Sequence, residues 1–250
     1  MFLGIDTSNY KTSVAIINEK GEEQFFNSKL LSIKKGEKGL RQSLAFWKHS
    51  EAIPVFLEEA FFHVNPKSIS AVSVSMTPRN TAGSYMPVFM AGYRAAKIIK
   101  SSLQVPIFTF SHQEGHIESI ISYNTSGIIS DEGIAFHLSG GTTEIIYFTR
   151  NKSGFKTVII GGTKDISIGQ LLDRIGVLLG IDFPAGEKLD VLALKENTAN
   201  TCNKRIKIDN GYFNLSGLEN YFMLEIKNGN TKIANDIFGI ISDLIEREII

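Results

Sequence analysis

The chain opens with a short apolar run, Phe2–Asp6, that ends on an acid; a second run at 13–17 follows the polar stretch Thr7-Ser8-Asn9-Tyr10-Lys11-Thr12. Two β-prone runs around a short polar turn predict a β-hairpin. The layout returns further on, where apolar residues 134–138 lead into Ser139-Gly140-Gly141-Thr142-Thr143 and residues 145–148 lead out. The hairpins lie about 130 residues apart, which predicts two copies of one domain plan. Between them the pattern predicts a third strand near 24–33, then a helix at 50–62 on the spacing of Ile53, Phe56, Leu57 and Ala60. Pro54 falls in the first turn of that helix, where its missing N–H is tolerated. A strand at 69–75, a polar loop at 76–84 and a helix at 85–103 come next, the helix carrying Ala91, Gly92, Ala95 and Ala96 for close packing on a sheet. A short buried strand at 106–110 leads into a helix that begins near Ser111 and continues through Ile117, Ile120 and Ile121. Helices at 167–180 and 232–250 complete an α/β reading.

The candidate chemistry sits in the two turns and at the start of the third helix, residues 111–116. Gly140 and Gly141 let bare N–H groups approach a ligand, and Ser139, Thr142 and Thr143 surround them with hydroxyls. A concavity of N–H groups favours an anion, most often a phosphate, although an ordinary tight hairpin has the same residues. Two such hairpins gripping one phosphate chain resemble the plan of the actin-like ATPase and sugar-kinase superfamily. In Ser111-His112-Gln113-Glu114-Gly115-His116 the histidines are four apart, so on a helix both imidazoles share a face and suit one metal. The zinc-protease pattern sets its Glu directly after the first His, which is not the case here. A surface pair of histidines is the plainer alternative.

Composition narrows the class without naming it. At 250 residues and 43% hydrophobic, the chain can bury one large core or two modest ones. Acids and bases balance at 26 each, so no overall charge argues for nucleic acid or membrane, while the basic stretch at 34–42 reads as a solvated loop or a contact for a polyanion. The single cysteine, Cys202, excludes an internal disulfide framework and reads as a packing residue in a reducing compartment. No signal-peptide pattern and no apolar run of about 20 residues occurs, which predicts a cytoplasmic protein with no membrane span.

Five blocks resemble one family in order. LGIDTSNYKTSVAI, SHQEGHIESI, LSGGTTEI, GGTKDISIGQLLDRIGVLLGIDFPAGEKLD and FNLSGLEN are similar to blocks of the TsaD-type tRNA threonylcarbamoyladenosine synthases, formerly labelled O-sialoglycoprotein endopeptidases. In detail they resemble a shortened Firmicutes-type paralogue group more than the housekeeping enzyme. The resemblance implies an actin-like ATPase fold in two domains, 1–131 and 132–250, the second C-terminally incomplete. It implies that His112 and His116 ligate a divalent metal, Fe or Zn. It also implies that Leu138, Ser139, Gly140, Gly141 and Thr142 touch nucleotide phosphates and the threonylcarbamoyl group, and that Asp173, Gly186 and Asp190 hold the ribose side of an adenine nucleotide, ATP or threonylcarbamoyl-AMP. Independently, the apolar spacing at 167–180 puts Asp173 on an exposed polar side.

The implied reaction transfers threonylcarbamoyl from its adenylate to N6 of an adenosine in tRNA, with partner subunits of a modification assembly, no membrane, and a homo-oligomer left open. Departures from the family pattern pull the other way. Lys11 replaces a Glu of the first hairpin, Ser111 replaces the first His of HHxEGH, and Thr142 replaces the His of SGGH. The family also continues with a GGVxxN block and a later metal-ligating Asp beyond the span of this sequence, which is either a piece of a longer chain or a degenerate one. Lys11 and Thr142 favour, as the second reading, a non-catalytic nucleotide-binding paralogue or scaffold subunit, while the intact His112, His116, Asp173 and Asp190 favour the enzyme. A sugar-kinase-like phosphotransferase is disfavoured because its catalytic Asp has no counterpart, and nothing here supports a glycoprotease.

Overall fold

Alternation builds the first sheet. β1 (Phe2–Asp6) buries Leu3 and Ile5, and β2 (Lys11–Ile17) buries Thr12, Val14 and Ile16, so one face of the hairpin is buried and apolar but for Thr12. β3 (Glu23–Leu30) continues the antiparallel meander, while β4 (Ala71–Thr77) pairs parallel to β1 and β5 (Ile107–Ser111) parallel to β4. The order β3-β2-β1-β4-β5, a meander extended by two parallel strands, is the ribonuclease H-like plan on which actin-like ATPases are built. The computed structural model describes residues 1–8, 10–32, 40–123, 131–152, 154–196, 202 and 204–249. Asn9 and most of the basic stretch, 33–39, lie outside them.

Two helices join the core of this sheet. α1 (Gln42–His63) turns Ala45, His49, Ile53, Phe56 and Ala60 inward, and α2 (Phe89–Leu103) packs Ala96 and Ile99 with Leu3, Ile5, Val72 and Val74. Thr7 accepts from Gly92 N at 3.2 Å and donates to Val88 O at 2.9 Å, and a Cβ on Gly92 would sit 3.0 Å from the Thr7 hydroxyl. That contact explains the small residue there. α3 (His112–Ser122) follows β5 directly.

A second sheet has the order β6-β7-β8-β10-β9, with β6 (Glu132–Leu138), β7 (Thr143–Asn151), β8 (Gly154–Thr163), β9 (Ile208–Asp209) and β10 (Tyr212–Phe213). Its core gathers Leu171 and Ile175 of α4 (Ile168–Leu178), Leu189 of α5 (Gly186–Glu196), Phe222 of α6 (Ser216–Lys227) and Ile237 and Ile240 of α7 (Ala234–Ile249), with Cys202 packed against it. The chain divides into two units, Met1–Asp131 with Arg150–Lys156, and Glu132–Thr149 with Thr157–Ile250. No helix among the described residues is long and apolar enough to cross a membrane.

Three sequence expectations need correction. The helix expected at 50–62 begins at Gln42, because the inward stripe extends back through His49 and Ala45; Pro54 is therefore interior and withholds the N–H that Ser50 O would receive. The helix expected from 85 begins at Phe89, past Pro87, whose fixed φ suits an entry turn. The strand expected to be buried at 106–110 is the sheet edge, with Phe108 more than half exposed.

Asp165 holds the second unit together locally. Its Oδ1 accepts from Ile166 N at 2.7 Å and Leu215 N at 2.8 Å, and its Oδ2 from Ser216 N at 3.0 Å. Desolvation opposes its charge, but those N–H groups outweigh it and hold the carboxyl well below the usual Asp range. A depressed value adds stability above the unfolded carboxyl's pKa of about 4, and that stability is lost as pH falls through and below it. We expect Asp165→Ala to destabilise this unit by about 1 kcal/mol at neutral pH, the scale of a lost helix cap at an exposed site. Urea denaturation should show the deficit at pH 7 and a smaller one in strong acid; a deficit unchanged across that range would contradict the assignment.

Candidate metal pair and phosphate turn

In the first unit, parallel pairing places the C-terminal ends of β1, β4 and β5 along one edge, with Ile5 beside Val74 and Thr77 beside Ser111. Asp6 ends β1, and Ser111 ends β5 and caps α3. The cap is a reciprocal box: Glu114 N donates to Ser111 Oγ at 3.2 Å, and Glu114 Oε2 accepts from Ser111 N and Oγ, each at 2.8 Å. Glu114 Oε1 also accepts from Phe155 N at 3.3 Å. A carboxylate so engaged is structural, and it fixes where the helix starts. His112 is then the first helical residue and His116 stands one turn later, with Nε2 atoms 2.9 Å apart.

At 2.9 Å the two nitrogens share a hydrogen bond; two nitrogens about 2.1 Å from one ion lie about 3.0 Å apart at an octahedral right angle and about 3.4 Å apart at a tetrahedral one, so the rings would open slightly to take a zinc ion. Asp6 Oδ2 lies 3.5 Å from His112 Nδ1 and accepts from Ser8 Oγ at 2.5 Å. Burial works against the Asp6 charge; His112, then the Ser8 and Ser75 hydroxyls, outweigh it, and the carboxyl is held below its ordinary value. Among the described residues no group of three His, Cys, Asp or Glu side chains is placed to hold a metal ion. Lys11, at the start of β2, is exposed. A cavity of about 310 Å³ opens beside the capping box, lined by Thr77, Arg79, Asn80, Ser111, Glu114 and Phe155 among others; it takes in none of the sequence-predicted site residues.

In the second unit the Ser139–Thr142 turn closes on itself. Ser139 N donates to Thr142 O at 2.8 Å, and Ser139 Oγ receives Thr142 N at 3.0 Å and Gly141 N at 3.3 Å while lying 2.9 Å from Thr142 Oγ1. The Gly-rich pattern predicts N–H groups offered outward; instead the serine hydroxyl occupies two of them. A ligand oxygen would have to replace it. Leu138 ends β6 just before the turn. The turn seats on the N-terminus of α4, with Ile168 N donating to Thr143 Oγ1 at 2.8 Å and Ser167 Oγ to Gly140 O at 3.0 Å. Nothing lies within 4 Å of a Cβ placed on Gly140 or Gly141, so the outer side of the turn is open.

Asp173 differs from expectation. It is half-buried rather than exposed, and its Oδ1 accepts from Ala185 N at 2.7 Å, fixing the turn that precedes α5. Gly186 begins α5 with open space at its Cβ position, and Asp190 is exposed on the same helix. The sequence reading gave no role to Asp6 or Glu114. Glu114 was legible from the Ser-x-x-Glu capping signature at 111–114. Asp6 carried only the weak signal of an acid closing a strand.

Gly169 offers a test of the turn's seating. An exposed helical Gly→Ala change ordinarily stabilises by about 1 kcal/mol. Here the added Cβ would meet Ser139 O at 2.5 Å and Gly140 Cα at 2.6 Å. Gly169→Ala should therefore destabilise by about 1–3 kcal/mol through overpacking. Chemical denaturation that showed a gain in stability would mean the turn does not sit on α4.

Comparison with known proteins bears on what these two sites belong to. Residues 25–249 match the family model described as TsaD: tRNA N6-adenosine threonylcarbamoyltransferase. A protein of that name from Enterococcus faecalis is 29% identical over 239 residues, covering 93% of this chain and 65% of its own length. Another from Latilactobacillus sakei is 30% identical over 228 residues, covering 89% and 63%. The chain thus spans about two thirds of the length of the curated relatives it matches. A solved structure, the activator of the 2-hydroxyisocaproyl-CoA dehydratase from Clostridium difficile with bound ADPNP, overlaps 98% of this chain and 72% of its own at 12% identity and a TM-score of 0.46. With the match extending over nearly the whole sequence, the chain belongs to the TsaD family of tRNA N6-adenosine threonylcarbamoyltransferases.

Proposed function

We propose that this chain binds a divalent metal and an adenine nucleotide and takes part in threonylcarbamoyl transfer to N6 of adenosine in tRNA. The observation that carries the reading is the pair of Nε2 atoms of His112 and His116 at 2.9 Å on one face of α3, in a chain matched to this family over 225 residues (25 to 249 inclusive). Imidazole donors suit Fe or Zn. When bound, the metal would polarise a carbonyl or phosphoryl oxygen of the substrate.

The protein's part is to hold and orient. His112 and His116 would present Nε2 lone pairs to the ion. In the second unit, Ser139 and Thr142 would turn their hydroxyls, and the N–H groups of 140–142, to the phosphates of ATP or threonylcarbamoyl-AMP, with Leu138 as the apolar side of that turn. Asp190 would accept from ribose hydroxyls, Gly186 would admit the sugar's close approach, and Asp173 would hold the 185–186 turn in place. AMP is the leaving group, so no protein nucleophile is required. tRNA, partner subunits and a cytoplasmic setting belong to the same reading.

Lys11 favours the second reading, a non-catalytic nucleotide-binding paralogue or scaffold subunit. A cation where the family has an acid would bind phosphate equally in ground and transition states, which lowers KM without raising kcat. Incubation with threonylcarbamoyl-AMP and tRNA separates the two: the transferase reading expects modified adenosine, and tight nucleotide binding without any modified product would favour the scaffold.

Two binding measurements probe the halves. Zn²⁺ titration at neutral pH should show saturable binding that His112→Ala or His116→Ala abolishes. Equal metal content in wild type and His116→Ala would end the metal assignment. For the nucleotide, Asp190→Ala should weaken ATP binding by about 1–3 kcal/mol with folding stability unchanged, whereas Asp173→Ala should lose both. Calorimetry giving ATP and inorganic triphosphate the same affinity would show that the ribose carboxylates do nothing.

A further inference from the structure

Asp6 is an acid without an assigned task. It ends β1, its side chain is 27% exposed, and its two oxygens differ. Oδ2 takes the Ser8 hydroxyl at 2.5 Å and faces His112 Nδ1 at 3.5 Å, while Oδ1 is buried with no hydrogen-bond partner among the described residues.

We propose that Asp6 is a positioning residue for His112: it accepts the Nδ1 proton, fixes the tautomer, and leaves Nε2 as the lone pair that faces His116. The inference rests on the reading of His112 and His116 as a metal pair. The proton logic follows from the two contacts. With Nδ1–H directed at Asp6, His112 Nε2 can only accept, so the 2.9 Å contact requires His116 to carry its proton on Nε2 while no metal is bound. The pair is therefore asymmetric. His112 is preset for a metal, and His116 must move its proton to Nδ1 before Nε2 can ligate. Ring packing supports the preset orientation, since Phe89 stands 6.2 Å from the His112 ring, centroid to centroid. The strand register does the rest: Asp6 and the start of α3 come from parallel strands separated only by β4. A carboxylate behind a ligating imidazole fixes its tautomer and raises its basicity, and removing such a partner commonly weakens metal affinity 10- to 100-fold.

The test uses ¹⁵N-imidazole spectra of the whole chain at about pH 8, where free imidazoles are neutral. In the metal-free protein His112 should show the Nδ1–H pattern and His116 the Nε2–H pattern. Asp6→Ala should abolish the His112 preference and weaken Zn²⁺ binding 10- to 100-fold, while Asp6→Asn, which keeps an acceptor, should retain the tautomer and part of the affinity. A wild-type His112 protonated on Nε2, or an Asp6→Ala spectrum unchanged at His112, would overturn the proposal. The wild-type spectrum decides even if Asp6→Ala fails to fold. If wild type shows the expected tautomers but binds no Zn²⁺, the metal reading fails and the positioning of His112 by Asp6 stands; if Zn²⁺ binds and the tautomers are reversed, the opposite holds.

Discussion

The carboxylate of Glu114 is the constraint on which the first unit's site depends. One oxygen takes both donors of Ser111, closing the cap at the start of α3, and the other takes Phe155 N from the tip of the β7–β8 hairpin. Gly154 makes room for that second contact: its φ is +138°, and a Cβ there would stand 3.0 Å from Glu114 Oε1. Buried carboxylates are retained where every oxygen is satisfied, and this one is. Its consequence is geometric. Because the helix cannot start earlier or later, His112 emerges as its first residue, beside the end of β1, and His116 follows on the same face.

The second unit solves its positioning problem by contact rather than by charge. Its turn is clasped through Ser139 Oγ and seated against α4, where Gly169 permits an approach that no larger residue would allow. Asp165 and Asp173 play parallel parts there, each accepting backbone N–H groups that begin an element distant in sequence. Carboxylates that resembled ligand contacts in the sequence thus divide into one that also holds a turn, Asp173, and one that is free on a helix surface, Asp190.

Much of the fold was legible because it rests on local periodicity. Both hairpins, the helix after Ser111 and the amphipathic α4 follow from residue spacing. Other features depended on tertiary context. The register at Pro54 was misread because a buried polar residue, His49, bonded to Thr12 at 2.8 Å, replaces an apolar one on the inner face of α1. β5 was read as buried because Ile107, Phe108 and Phe110 look like core, and only the strand order shows them at an edge. In the site, His-x-x-x-His was visible from spacing alone; Asp6 was not, since its link to His112 spans over a hundred residues and exists only through β4.

The proposal to be decided is that the Nε2 atoms of His112 and His116 would hold a metal, with Asp6 behind His112. Anomalous diffraction at the zinc edge from crystals of the whole chain grown with Zn²⁺ tests it directly. The account predicts one peak within about 2.1 Å of both Nε2 atoms, with Asp6 within hydrogen-bond distance of His112 Nδ1. A peak bonded to Nδ1 of either ring, or no peak between the two imidazoles at saturating Zn²⁺, would contradict it.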